Sequence, residues 1–123
     1  MEKLMISTEE KSELGVHVLH LSGTVDVFSY KDLKEFLDKW ILENSVKRVL
    51  VDMQKVAYVG SSGWSVLFLQ STAQEKEGGI LVLYEMTERV KRSLDLIMPK
   101  KRGIYTAGTF EEAVEVLNTA NKA

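Results

Sequence analysis

Two adjacent serines carry the clearest chemical signal in the sequence. Ser61 and Ser62 stand between Gly60 and Gly63, at the start of an apolar run that predicts a helix. Serine hydroxyls cap the free N–H groups of a helix start, so one serine is expected to cap this helix while the other faces solvent. A phosphate on the outer serine would add nearly two negative charges at the positive end of the helix dipole. The pattern indicates a phosphorylation switch, and the alternative is a plain cap and turn.

Other chemistries that glycines and serines support do not fit the spacing. A phosphate-cradling loop needs a lysine directly after its last glycine, but Trp64 follows Gly63. The nucleophile elbow Gly-x-Ser-x-Gly needs glycine at Trp64 and a later histidine, and no histidine follows His20. His17 and His20 lie in a predicted strand and should point to opposite faces, which excludes joint metal binding from there. No catalytic residue, metal ligand or cofactor site is predicted.

Composition and charge exclude further classes of function. The 123 residues fit one domain that spans residues 1–123, and their net charge of -2 gives no general attraction to nucleic acid or to a membrane. The sequence contains no cysteine, which removes disulfides and thiol chemistry and fits a reducing compartment. No apolar run reaches the roughly 20 residues of a membrane helix, and the N-terminus lacks the apolar stretch of a signal peptide. We therefore expect a cytoplasmic protein.

Alternating strands and helices are expected to position the serines. The predicted strands are mostly apolar runs at residues 4–7, 16–21, 49–53, 56–59, 80–84 and 104–106, with a polar loop at 8–13 and a turn at Gln54 and Lys55. The predicted helices have apolar residues spaced three, four and seven apart, at residues 28–41, 60–77, 88–98 and 109–118. Ser29 is the expected N-cap of the first helix, whose apolar stripe includes Phe28.

This order of elements predicts the fold class. Strands that alternate with helices of this length indicate βαβ units with right-handed crossovers. We predict an α/β fold: a single domain with a mostly parallel β-sheet of four to five strands, an N-terminal antiparallel strand and four helices. Functional loops in such sheets gather where strands end and helices begin, here at residues 23–28, 58–64 and 85–88.

Two motifs carry a resemblance to a known family. One is the turn Gly23-Thr24-Val25-Asp26, and the other is the stretch Val59-Gly60-Ser61-Ser62-Gly63-Trp64-Ser65-Val66-Leu67. In this order and spacing the chain resembles the STAS domain family (sulfate transporter and anti-sigma factor antagonist), in particular its small stand-alone bacterial anti-sigma factor antagonists. The resemblance covers nearly the whole chain and implies a STAS-like domain.

The resemblance implies a regulator that switches partners and is not an enzyme. In the family, the first serine of the pair, here Ser61, is phosphorylated by an anti-sigma factor that is a serine kinase with a histidine-kinase-like ATPase fold. The unphosphorylated form binds this kinase and frees its sigma factor, and a metal-dependent serine/threonine phosphatase resets the switch. We expect a monomer or weak dimer without a cofactor. The residues expected to bind the partner are Thr24, Asp26, Tyr58, Gly60, Ser62, Gly63 and Trp64.

The chain departs from the family signature beside the switch. Gly60 stands where the signature has aspartate, which removes a charge and a hydrogen-bond acceptor. Trp64 replaces a leucine and Ser65 a glycine, so a bulkier surface patch is expected. The glycine leaves open a second function, a STAS scaffold subunit of a signalling complex that is not phosphorylated. A small ligand-binding or hydrolytic protein is the alternative from a different class.

A cluster of basic residues follows the predicted strand at residues 80–84. Its members surround the third helix: Arg89, Lys91, Arg92, Lys100, Lys101 and Arg102. Such a cluster steers an acidic partner or a phosphate-bearing ligand, or else it forms an ordinary solvated face.

Overall fold

A five-stranded sheet forms the centre of the computed structural model, which describes residues 2–100 and 103–120. The strands are β1 (Met5–Lys11), β2 (Val16–Val25), β3 (Arg48–Val59), β4 (Ile80–Tyr84) and β5 (Tyr105–Ala107), in that spatial order. The helices within the described ranges are α1 (Tyr30–Asn44), α2 (Ser61–Lys76), α3 (Glu88–Ile97) and α4 (Phe110–Ala120). β1 is antiparallel to β2, and the other neighbours pair in parallel. The predicted fold class is therefore confirmed.

The sheet is covered on both faces, which explains why its central strands are apolar throughout. Helices α1, α2 and α3 pack on one face, where Leu37, Leu67 and Leu94 are buried together with residues of β2, β3 and β4. Helix α4 packs on the other face through Ala113 and Leu117. No helix in the described part of the chain is long and apolar enough to cross a membrane.

Three strands, β1, β2 and β3, are longer than the sequence pattern predicts, and β2 continues past residue 21 to Val25. The expected turn at Gln54 and Lys55 is wrong, because β3 continues through both residues. β3 stays paired with β2 there, and an extra residue is absorbed by a register shift between His20 and Ser22. The predicted polar loop at residues 8–13 is also mostly strand, because β1 is an edge strand whose polar side chains face solvent. As a result, β2 and β3 run side by side to the end of the sheet that holds the serines.

Candidate functional site

The ends of β2 and β3 bring the two predicted motifs together. Thr24 pairs with Tyr58 across the parallel strands, and the Gly60 N–H donates to the carbonyl of Val25 at 2.8 Å. A Cβ at Gly60 would lie 3.9 Å from the Cα of Asp26. The turn with Asp26 and the loop with the serines are therefore direct neighbours, although they are far apart along the chain.

Helix α2 begins differently from the prediction. Its N-cap is Gly60, in an extended conformation (φ −87, ψ 179), and no side chain forms a cap hydrogen bond. The expectation that a serine caps the helix is wrong, because the chain leaves β3 still extended through Gly60 and is already helical at Ser61. Ser61 is exposed and Ser62 is half-buried. The first helical residue thus presents its hydroxyl to solvent at the positive end of α2.

Gly63 allows α2 to approach the sheet closely, as its place in the motif suggests. A Cβ at this position would lie 2.7 Å from Cγ1 of Val25 and 2.8 Å from Cγ1 of Val59. Real Cβ atoms do not approach other heavy atoms so closely, so only glycine fits without displacing the helix. Ser61 is consequently held just above the strand ends.

The side chain of Trp64 points into the core, so the predicted bulkier surface patch is wrong. Trp64 is fully buried because α2 lies with its first turn over the end of β3. Its indole N–H donates to the hydroxyl of Ser93 at 2.9 Å, and this hydroxyl donates to the carbonyl of Val59 at 2.6 Å. Thr24 and Gly63 are also buried. These three predicted partner-binding residues therefore lie beneath the surface that carries Ser61.

The turn after β2 is built around the carboxylate of Asp26. Its Oδ1 accepts from the Phe28 N–H at 2.9 Å and from the Ser29 hydroxyl at 3.3 Å. Ser29 holds the N-cap position of α1, but its side chain makes no cap hydrogen bond. Its hydroxyl instead donates to the carbonyl of Thr24 at 2.8 Å. These bonds brace the turn beside Gly60. Ser29 is the N-cap residue of α1, as predicted, although its hydroxyl bonds within the turn and not to the helix.

This turn exposes apolar side chains that the sequence pattern assigned differently. Phe28 was expected on the buried stripe of the first helix, but α1 begins at Tyr30 and Phe28 is 85% exposed. Its neighbour Val27 is 65% exposed, and Tyr58 is also exposed. We call the exposed group Val27, Phe28, Tyr58 and Ser61 the serine face. An apolar surface of this kind around a polar centre is typical of protein-binding sites.

Comparisons with known proteins agree with this geometry. The family model of the STAS domain matches residues 6–101. The chain belongs to the STAS domain family. Its fold is shared by the anti-sigma factor antagonist SpoIIAA in its unphosphorylated form, at 17% identity and a TM-score of 0.71, covering 94% of this chain and 97% of that one.

Further solved structures resemble this STAS domain over nearly their whole lengths. A putative anti-sigma factor antagonist from Thermotoga maritima aligns at 18% identity and a TM-score of 0.76, covering 96% of this chain and 95% of that one. A serine-to-glutamate variant of RsbS from Moorella thermoacetica aligns at 21% identity and a TM-score of 0.72, covering 98% and 99%. At these identities the likeness shows a shared fold.

The two histidines of this STAS domain point to opposite faces of the sheet, as predicted. The His17 ring contacts Trp40 edge-on at 5.9 Å, whereas His20 lies on the other face between two carboxylates. His20 Nδ1 is 2.8 Å from Oδ2 of Asp52, and Nε2 is 3.0 Å from Oε1 of Glu9. The described residues contain no group of three or more His, Asp or Glu side chains placed to hold a metal.

This pairing makes stability depend on pH. Partial burial lowers the pKa of His20, but the hydrogen bonds to Glu9 and Asp52 outweigh it and raise the pKa above its ordinary value. The protonated imidazole therefore stabilises the fold fully below about pH 6.5, and this contribution is lost as pH rises through the folded-state pKa. We expect the free energy of unfolding of the parent to exceed that of His20→Gln at low pH and the difference to shrink as pH rises.

Urea unfolding at several pH values would measure this difference. His17→Gln keeps His20 and both carboxylates, so its pH profile should follow that of the parent. A difference between parent and His20→Gln that is constant or grows with pH would contradict the prediction.

Proposed function

We propose that this STAS domain is an anti-sigma factor antagonist that works by partner switching. The observation that carries the proposal is the position of Ser61, exposed at the uncapped positive end of α2 and next to the turn that carries the exposed Val27 and Phe28. Support comes from SpoIIAA, a structural neighbour that is known in unphosphorylated and phosphorylated forms. The site offers an exposed apolar surface that a partner protein can bind and a serine hydroxyl that can accept a phosphate. A regulator that switches partners needs both.

The proposed cycle has two charge states. With a neutral Ser61, the serine face binds an anti-sigma factor in the cytoplasm, a serine kinase with a histidine-kinase-like ATPase fold. Ser61 Oγ then attacks the γ-phosphorus of the ATP held by the kinase, loses its proton, and ADP leaves. The dianion that results lies in an interface formed around a neutral hydroxyl, so the partner is released. A metal-dependent serine/threonine phosphatase hydrolyses the ester and restores the hydroxyl.

Asp26 and the other half-buried residues have supporting roles in this proposal. The carboxylate of Asp26 holds the turn that presents Val27 and Phe28, and the backbone of Gly60 ties that turn to the start of α2. The buried residues Thr24, Gly63 and Trp64 set the position of the surface from below. Partner contact is thereby assigned to the serine face, with Asp26, Gly60 and Ser62 at its centre.

Gly60 also favours a second candidate function, a scaffold subunit that is not phosphorylated. The family aspartate is absent here, which leaves Asp26 as the carboxylate beside the serine loop. The two candidates share the fold and the docking surface, and they differ in whether Ser61 accepts a phosphate.

Phosphate mapping separates these candidates. We expect that incubation with ATP and the candidate anti-sigma kinases of the source organism places one phosphate on Ser61, located by mass spectrometry of the digested protein. Ser61→Ala should remain unmodified under the same conditions. Ser65 is exposed one turn further along α2 and serves as the internal control for unspecific modification. A protein that binds such a kinase without gaining phosphate on Ser61 would be the scaffold.

A further inference from the structure

Helix α3 is held against the serine loop by two linked, partly buried hydrogen bonds. The Ser93 hydroxyl joins the Val59 carbonyl, at the last residue of β3, to the indole of Trp64 in the first turn of α2. The start of α3 is capped by Thr87, whose hydroxyl accepts from the Val90 N–H at 3.2 Å. The N-terminal half of α3 therefore keeps a defined position relative to Ser61.

Arg89 lies one helical turn before Ser93 and so on the same side of α3. Its guanidinium carbon is 5.3 Å from the centre of the Tyr58 ring, a cation–π arrangement. The same ring lies 3.5 Å from where a Cβ of Gly60 would be, and Gly60 directly precedes Ser61. Arg89 therefore contacts the Tyr58 ring, and this ring in turn lies beside Gly60 in the serine loop.

Arg89 differs from its basic neighbours in its contacts. Lys91 pairs with Glu88 at 3.6 Å. Among the described residues no carboxylate forms an ion pair with Arg89, whose guanidinium rests on the ring instead. Lys101 and Arg102, two other members of the predicted basic cluster, lie outside the described residues. Among the described members of the cluster, Arg89 contacts the ring beside the serine loop.

We infer that the Arg89 guanidinium leaves the Tyr58 ring and binds the phosphate when Ser61 is phosphorylated. The inference rests on the proposed function, because it needs a phosphate on Ser61. A guanidinium binds a phosphate through paired, charge-assisted hydrogen bonds, which are stronger than a contact with an exposed ring. Gly60 favours the exchange, since an aspartate there would repel the phosphate and compete for the cation. The exchange also uncovers Tyr58, so phosphorylation changes the shape of the serine face as well as its charge.

The second pKa of the phosphate on Ser61 shows whether Arg89 binds that phosphate. Full-length protein with phosphoserine incorporated at position 61 during translation needs no kinase, and phosphorus NMR gives the second pKa of its phosphate. We expect this pKa near 5.5, below the ordinary value of about 6, because the nearby cation favours the dianion. Arg89→Gln should raise it toward 6, although the positive end of α2 keeps it below that value, and Arg92→Gln, with the same loss of charge on the same helix, should leave it at the parent's value.

The outcomes distinguish this inference from the proposed function. An identical phosphate pKa in the parent and in Arg89→Gln would overturn the role of Arg89 and leave partner switching intact. An equal rise in Arg92→Gln would also overturn it, because the effect would then be one of general charge. A failure of any kinase to modify Ser61 would instead remove the proposed function. Arg89 is exposed, so the variant should fold like the parent, which circular dichroism checks.

Discussion

Ser61→Asp should weaken binding to the anti-sigma partner about 100-fold, while Ser61→Ala should stay within about two-fold of the parent. The reason is the cost of an unpaired charge in an interface. A carboxylate at position 61 loses hydration when the partner docks, and a partner surface complementary to a neutral hydroxyl supplies no counter-charge to it. Alanine removes only a small hydroxyl from the same surface.

The fold of Ser61→Asp should be intact, so a loss of affinity reports on the interface. An acidic residue in the first turn of a helix is favourable toward the helix dipole, and Ser61 is exposed. Ser12→Asp adds the same charge at an exposed site in the short turn between β1 and β2, at the opposite end of β2. Titration calorimetry should show parent-like affinity for this control. Equal binding by Ser61→Asp and Ser61→Ala, or equal loss in Ser12→Asp, would mean that charge at Ser61 is not the switch.

Gly63→Ala should destabilise the fold by about 1 to 2 kcal/mol, and two opposing effects decide this. Alanine is favoured over glycine within a helix by roughly 1 kcal/mol, and by less in the first turn, where Gly63 lies. Against this, the new Cβ would lie 2.7 to 2.8 Å from the methyl carbons of two core valines, Val25 and Val59, and 2.9 Å from the Val25 carbonyl oxygen. Both valines are fully buried, so neither the strands nor the helix can relax cheaply. The clash therefore outweighs the propensity.

Gly60→Ala is the matched control, three residues earlier. Its Cβ would meet the Tyr58 ring at 3.5 Å, an ordinary contact, and the backbone there is one that any residue adopts. Urea unfolding should give Gly60→Ala a stability within about 1 kcal/mol of the parent, because the restriction of the unfolded chain by alanine offsets the loss of glycine at the N-cap of α2. A Gly63→Ala protein as stable as Gly60→Ala would mean that α2 does not need its close approach to the sheet.

Much of the fold followed from local patterns. The apolar strand at Ile80–Tyr84 and the helix that begins at Glu88 agree with the predicted ranges, because side-chain periodicity reflects which faces are buried. The neighbourhood of Asp26 and Ser61 was also predictable, since parallel strands end at the same edge of a sheet. Tyr58 was named as a partner-binding residue, but its contact with Arg89 has no signal in the sequence, because it depends on how α3 is placed.

The wrong predictions have one physical cause: they concern residues whose conformation or burial depends on contacts with distant parts of the chain. The sequence by itself determined the order of strands and helices and the loop that carries Ser61, because these follow from the periodicity of the apolar residues and from the glycines and serines between the apolar runs. Gln54 and Lys55 look like a turn, yet pairing with β2 keeps them in a strand. Periodicity places Trp64 on the inward face of α2, which the structure confirms, but its assignment to the partner-binding patch is wrong, because contact with Ser93 and the end of β3 buries it. The capping of α2, the need for glycine at Gly63 and the exposure of Phe28 depend on contacts between residues far apart in the chain, and only the packed structure brings those residues together.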